Sequence, residues 1–156
     1  MPGQPDCYSR GFQGRDHMRI LIGALGLALL AGCATSPVPL SQAKQAPSDR
    51  VTGYQSSVTG GGQIIVTRDS GFPGGGCYAT VFINGEPVAR LNPKEKAYFN
   101  VPAGEWMVGA SLEGKALCGM NAERLETEAS IKPGQTKKYR IYTSGDGGVS
   151  VKPTTF

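Results

Sequence analysis

From residue 62 onward the chain reads as short segments in which apolar and polar residues alternate. Each segment is closed by Gly, Pro, Asn or Asp, and this pattern limits the fold more than anything else in the sequence. In segment 77–84, Cys77, Ala79, Val81 and Ile83 share one side, with Tyr78, Thr80 and Phe82 on the other. Asn84-Gly85 follows, a strong hairpin signal, with 88–91 as the return strand. Segment 63–68 is β-branched, and 96–101 ends on Pro102-Ala103-Gly104. Segment 105–112 places Trp106, Val108, Ala110 and Leu112 on one face. Segment 123–131 sets Leu125, Thr127, Ala129 and Ile131 against Arg124, Glu126, Glu128 and Ser130. Segments 136–143 and 149–152 complete about eight strands in roughly 95 residues. The spacing predicts an all-β fold over 62–156, a small β-sandwich of about seven to eight antiparallel strands. Gly is 23 of 156 residues, about twice its usual ~7%. That share weighs against a helical bundle, because each helix-interior Gly costs about 1 kcal/mol against Ala. Only 114–124 leaves room for a short helical turn.

Lys132-Pro133-Gly134-Gln135 is a turn, and the parity of its flanks predicts a 123–143 hairpin. Pro133-Gly134-Gln135 would be its three-residue loop, with Gly134 in the left-handed conformation. Glu128 then faces Arg140, and Ser130 faces Lys138.

Ahead of this domain, residues 20–31 form a run of 12 without a polar side chain. A spanning helix needs about 20. Arg19 precedes the run and small residues follow it, the parts of a secretory signal. Leu30-Ala31-Gly32-Cys33 resembles the lipobox of bacterial lipoproteins: Leu, a small residue, Gly or Ala, then the Cys that receives the lipid. The resemblance implies that 1–32 is a signal peptide and that the Cys33 thiol is diacylated by chains such as palmitate. Cys33 then becomes the first residue of the mature chain, and its new amine is acylated in turn. Two or more chains hold a protein stably to a bilayer. Met18 is the expected start, which sets Cys7 and His17 aside. In the family an Asp after the Cys favours the inner membrane; Ala34 stands there, implying the inner leaflet of the outer membrane, facing the periplasm. Residues 33–61 read as the lipidated Cys and a flexible tether rich in Ser, Thr, Pro, Gln and Gly. Such a tether has an end-to-end distance on the order of 30 Å. Val51 and Tyr54 are its residues able to dock on the domain and move the domain's start earlier.

Without Arg10, Arg15 and Arg19 the 16 basic residues become 13, and without Asp6 and Asp16 the 12 acids become 10. The resulting net charge of +3 is too mild and too dispersed to imply a nucleic-acid partner. His17 is the only histidine, so the mature chain has none, which excludes Ser-His-Asp and Cys-His catalysis. It also removes the usual general base and the commonest transition-metal ligand. Cys77 and Cys118 are the thiols that remain, and in an oxidising periplasm they read as a disulfide. The rival readings, a redox or metal pair, lack the C-x-x-C spacing.

Val81-Phe82-Ile83-Asn84-Gly85-Glu86-Pro87-Val88-Ala89-Arg90-Leu91, followed by Val101-Pro102-Ala103-Gly104-Glu105-Trp106, resembles the PEGA-like β domains of small proteobacterial lipoproteins of unknown function. That family commonly carries His after Pro-Ala-Gly-x, where this chain has Trp106. The resemblance implies a β-sandwich on the envelope side of a membrane and brings no catalytic residue.

Other motifs have plain structural readings. Gly74-Gly75-Gly76 lacks the Lys-Ser/Thr and following helix of a phosphate loop. Glu126 and Glu128 lie about 7 Å apart on one face, within glycosidase-like spacing, but on the polar side of their strand. Asp146 has no second acid at calcium-loop spacing. Trp106, Tyr98 and Phe99 are a candidate stacking patch, although Trp106 has the parity of the core. The expectation is a non-enzymatic, lipid-anchored protein with no cofactor, metal or catalytic residue. Its partners would be the membrane, through Cys33, and an envelope protein or peptidoglycan. Two alternatives are a glycan-acting enzyme using Glu126 and Glu128, and an inhibitor or immunity-type lipoprotein presenting loop 69–76 or 113–122.

Overall fold

The computed structural model describes residues 35–71, 75–114, 118, 123–145 and 147–156. They belong to one compact unit, Cys33–Phe156. Among the described residues nine strands make up two sheets: β1 (Lys44–Gln45), β2 (Gly62–Arg68), β3 (Tyr78–Ile83), β4 (Glu86–Leu91), β5 (Glu95–Val101), β6 (Gly104–Glu113), β7 (Leu125–Ile131), β8 (Thr136–Thr143) and β9 (Val149–Pro153). The five-stranded sheet has the order β1-β5-β2-β8-β9, and the four-stranded sheet β4-β3-β6-β7. The eight strands expected from 62 onward all form, with ends moved by a residue or two.

Alternation selects the core. Ile64 and Val66, Ala97, Phe99 and Val101, and Tyr139 and Ile141 point inward from the first sheet. Ala79, Val81 and Ile83, Val108 and Ala110, and Ala129 and Ile131 meet them from the second. β2, β3 and β5 to β9 thus send alternate side chains into the layer between sheets. Arg68 also points inward. It is 2% exposed, and its Nη1 donates to the carbonyls of Cys77 (2.6 Å) and Leu91 (2.7 Å), tying the two sheets together. Burial pushes its pKa down to about 10, against the opposing pull of the Glu95 charge.

Turn chemistry carries the connections. Asn84 and Gly85 both take positive φ (48° and 82°), as a two-residue type I′ hairpin between β3 and β4 requires. At the Lys132–Gln135 turn, Gly134 has φ 71° and the Gln135 N–H donates to the Lys132 carbonyl. Pro then Gly at the two central positions is the type II pattern.

That turn does not close a hairpin. Among the described residues β7 pairs only with β6, and β8 lies between β2 and β9 in the other sheet. The expected pairs therefore do not form: Arg140 binds Asp69, and Ser130 donates to Glu105. The physical reason is that inward parity is satisfied equally by two strands of one sheet and by two strands facing each other across the core. Nor is every pair antiparallel: β2–β8 and β1–β5 are parallel. The helical turn considered for 114–124 falls largely outside the described residues.

The segment expected to be a tether is part of the fold from Thr35 onward. The Thr35 side chain accepts from the Thr143 N–H (2.9 Å), and Ser36 bridges Ser70. β1 runs parallel to β5, while Val51 bridges Ala89 of β4. Residues 44–54 thus strap the β5 and β4 edges together, burying Ala46 and Val51. Arg50 locks the strap with a two-pronged ion pair to Glu95 (2.7 Å for each prong) and a bond to the Arg90 carbonyl. An edge covered in this way cannot recruit another strand. The tether expectation failed because Val38, Ala43, Ala46 and Val51, the buried residues, follow neither a period of 2 nor one of 3.6.

Candidate functional site

The loops gather at two ends of the sandwich. One end carries 35–43, the β2–β3 connection, the Asn92–Glu95 turn and the β8–β9 connection. The other carries 55–61, Asn84-Gly85, the Lys132–Gln135 turn and the C-terminus.

Cys33, the expected lipid site, lies outside the described residues, as does Asp146. Cys77 and Cys118 form a disulfide, with Cα atoms 5.5 Å apart. It pins the segment after β6 to the start of β3, and in the chain-entropy model a loop of this size is worth roughly 4 kcal/mol. Gly74 and parts of loops 69–76 and 113–122 are also outside the described residues; Gly75 and Gly76 lie just before β3.

Glu126 and Glu128 project from the outer side of β7, an edge strand. Arg124 pairs with Glu126 at 3.0 Å, and both are well exposed. Glu128 borders an open groove with Lys138 and Thr154, but Glu126 does not line it, so the two carboxylates do not face each other across a cleft. Trp106, Tyr98 and Phe99 do not form a patch. Phe99 is fully buried, Tyr98 points to the opposite side of β5, and Trp106 belongs to the other sheet. Trp106 packs edge-on against Tyr54 (5.6 Å between centroids) and donates its indole N–H to the Pro102 carbonyl (3.0 Å). Tyr54 therefore docks as considered, joining the strap to the second sheet. Among the described residues no three His, Cys, Asp or Glu side chains gather as a metal site.

What sequence reasoning missed is on the outer faces. Register aligns Lys96 of β5, Thr67 of β2, Arg140 of β8 and Lys152 of β9 in one row across the five-stranded sheet. Tyr98, Ile65 and Lys138 form the adjoining row. The Lys96 ammonium sits 5.8 Å from the Tyr98 ring centre; Arg140 and Lys152 sit 5.7 and 5.1 Å from that of Tyr142. Such distances are within cation–π reach. Among the described residues, one acid shares this parity. Asp69 is 2% exposed, and it receives two N–H donors from Arg140 and, at 3.3 Å, the Thr35 hydroxyl.

The outer face of the four-stranded sheet has the opposite sign. Glu105, Glu113, Glu126 and Glu128 lie on it, with Arg90 and the neighbouring Arg124 as counter-charges. Arg124 stacks over Phe82 (5.0 Å), while Arg50 and Arg90 flank Tyr78. Among the described residues, the two outer faces thus differ in the sign of the charge they carry. No family model matches the chain, and a comparison with curated proteins finds no match either.

Proposed function

We propose that the protein is a lipid-anchored, non-enzymatic lipoprotein of the outer membrane, facing the periplasm, that binds or supports another component of the cell envelope. The observation that carries this reading is the tetrapeptide Leu30-Ala31-Gly32-Cys33 after a short apolar run and a basic residue. The engagement of the fold as early as Thr35, two residues after the expected first residue of the mature chain, supports it. So does the Cys77–Cys118 disulfide, which suits an oxidising compartment. The β-sandwich is the fold that the PEGA-like resemblance implies, and it too supports an envelope role. A component carrying a charge field would be recognised by one of the two outer faces rather than by a cleft.

The test is expression of the full chain in a Gram-negative host fed an alkyne-bearing palmitate analogue. The expected result is a labelled protein whose intact mass corresponds to acylated Cys33–Phe156, with the label lost in Cys33→Ala. An unlabelled protein released with the soluble periplasmic fraction overturns the anchor. Crosslinking in intact cells with a tag after Phe156 then identifies the supported component, a single envelope protein or peptidoglycan.

A further inference from the structure

We propose that the outer face of the five-stranded sheet is a membrane-docking surface. Its cation row of Lys96, Arg140 and Lys152, flanked by Tyr98 and Tyr142, lies on the anionic phospholipid headgroups of the bilayer that holds the Cys33 lipid. This rests on the lipoprotein reading of Cys33 and adds to it an orientation.

Two independent observations carry it. The first is where the described chain begins. Thr35 is fixed at the rim of this face, its hydroxyl on Asp69 and its N–H on the Thr143 carbonyl (3.2 Å). Two residues of chain reach about 7 Å at most. A lipid on Cys33 would therefore be held close to the rim of this face, at the end of the sandwich that carries Thr35 and Thr143. The second is charge. Among the described residues, Lys138, Arg140, Lys152 and Lys96, whose ammonium also donates to the Leu40 carbonyl (2.7 Å), stand against Asp69, whereas the opposite face carries four glutamates against Arg90 and Arg124, with Arg50 beside Tyr78. An anionic surface within a Debye length attracts one side and repels the other. Each Lys or Arg close to such a surface strengthens attachment about fivefold. Tyrosines beside lysines are the side chains that favour the headgroup layer, with an apolar body and a polar tip. A shallow groove lined by Arg140, Lys152, Pro153 and Phe156 extends the surface to the C-terminus, where Phe156 is 53% exposed.

The experiment uses the lipidated full-length protein in vesicles containing phosphatidylglycerol, doped with a nickel-chelating lipid. A spin label is placed either at Ser150→Cys, paired with Tyr142 on the basic face, or at Ser130→Cys on the acidic face. Relaxation of the Ser150 label by headgroup nickel is expected to exceed that of the Ser130 label several-fold. The difference should shrink in high salt, in vesicles of phosphatidylcholine alone, and in Lys138→Gln with Lys152→Gln. Equal relaxation at both sites, or greater relaxation at Ser130, overturns the surface. So does protection of the Ser150 label by isolated peptidoglycan in place of vesicles. The intact mass of the same sample separates the two failures. A protein without lipid on Cys33 removes both the anchor and the surface, whereas an acylated protein with equal relaxation removes the surface alone.

Discussion

Among the described residues, the outer face of the five-stranded sheet carries Lys96, Lys138, Arg140 and Lys152 around the buried Asp69, and that of the four-stranded sheet carries Glu105, Glu113, Glu126 and Glu128 around the guanidiniums of Arg90 and Arg124, with that of Arg50 beside Tyr78. Inward, the two sheets are alike, both lined by Val, Ile, Ala and aromatic residues. Packing dictates the inner side and is indifferent to the sign of charge outside. Separation of sign between the faces is therefore a property the fold permits but does not require, and it gives the sandwich two different sides to present. The ion pairs differ in the same sense. Asp69–Arg140 is sunk beneath Thr35, with the carboxylate side chain 1% exposed, while Arg124–Glu126 is open to solvent at 42% and 29%.

The largest perturbation separates the sheets mechanically. The disulfide anchors β3 of the four-stranded sheet and none of β1, β5, β2, β8 or β9. Cys77→Ala with Cys118→Ala is expected to lower stability by about 4 kcal/mol in urea unfolding. Hydrogen exchange should rise more at the Tyr78 and Glu113 ends of β3 and β6 than along β2 and β8. A uniform rise would mean that the sheets behave as one unit.

Asp69→Asn comes next. It leaves Arg140 without its carboxylate, at an expected cost of about 2 kcal/mol. It also adds a net positive charge to the basic face, so the salt dependence of adsorption to anionic vesicles should steepen.

Acid should loosen the strap that joins the two sheet edges. Burial of Glu95 opposes its ionisation, but the hydrogen bonds from Arg50 and Asn92, with the Arg50 charge, outweigh this and hold its pKa below the usual 4.5. The hydrogen bond to Glu95 correspondingly raises Arg50. A carboxylate with a depressed folded pKa contributes its full stabilisation above the unfolded value and loses it as pH falls through the folded one. Exchange of the Lys44 and Ala46 amides should therefore quicken below pH 4.5 before β2 and β8 do, and Glu95→Gln should abolish that pH dependence.

Glu126→Gln, the smallest change, should stay within about 0.5 kcal/mol of the parent, as an exposed pair allows. A cost approaching that of Asp69→Asn would erase the distinction between the two ion pairs.

Local pattern made the strands legible, and the limits of local pattern explain the rest. Asn84-Gly85 specified its hairpin because both positions need positive φ. Pro133-Gly134 specified its turn equally well, yet a turn does not say whether the next strand lies beside the last or opposite it. The core parity of Trp106 was readable from Val108 and Leu112, while its contact with Tyr54 was not. Lys96, Arg140 and Lys152 become one row only through the parallel β2–β8 register, a pairing that alternation does not encode. The bidentate contact of Arg50 with Glu95 likewise had no sequence signal, since neither residue belongs to a motif.

The parallel pairing of β2 with β8 also sets the order in which the molecule can form. Gln63 finds its partner in Thr136, about 70 residues later, so loop closure must precede any reward from that contact. A chain that emerges from its N-terminus holds β2 with one edge unpaired until β8 arrives. Thr35, among the first described residues, waits even longer, because its seat is Thr143. The early part of the chain is completed only by its end. Folding is therefore a late and concerted event, slow for its size, and a nascent chain cut short before β8 is left with an adhesive edge in place of the middle of a sheet.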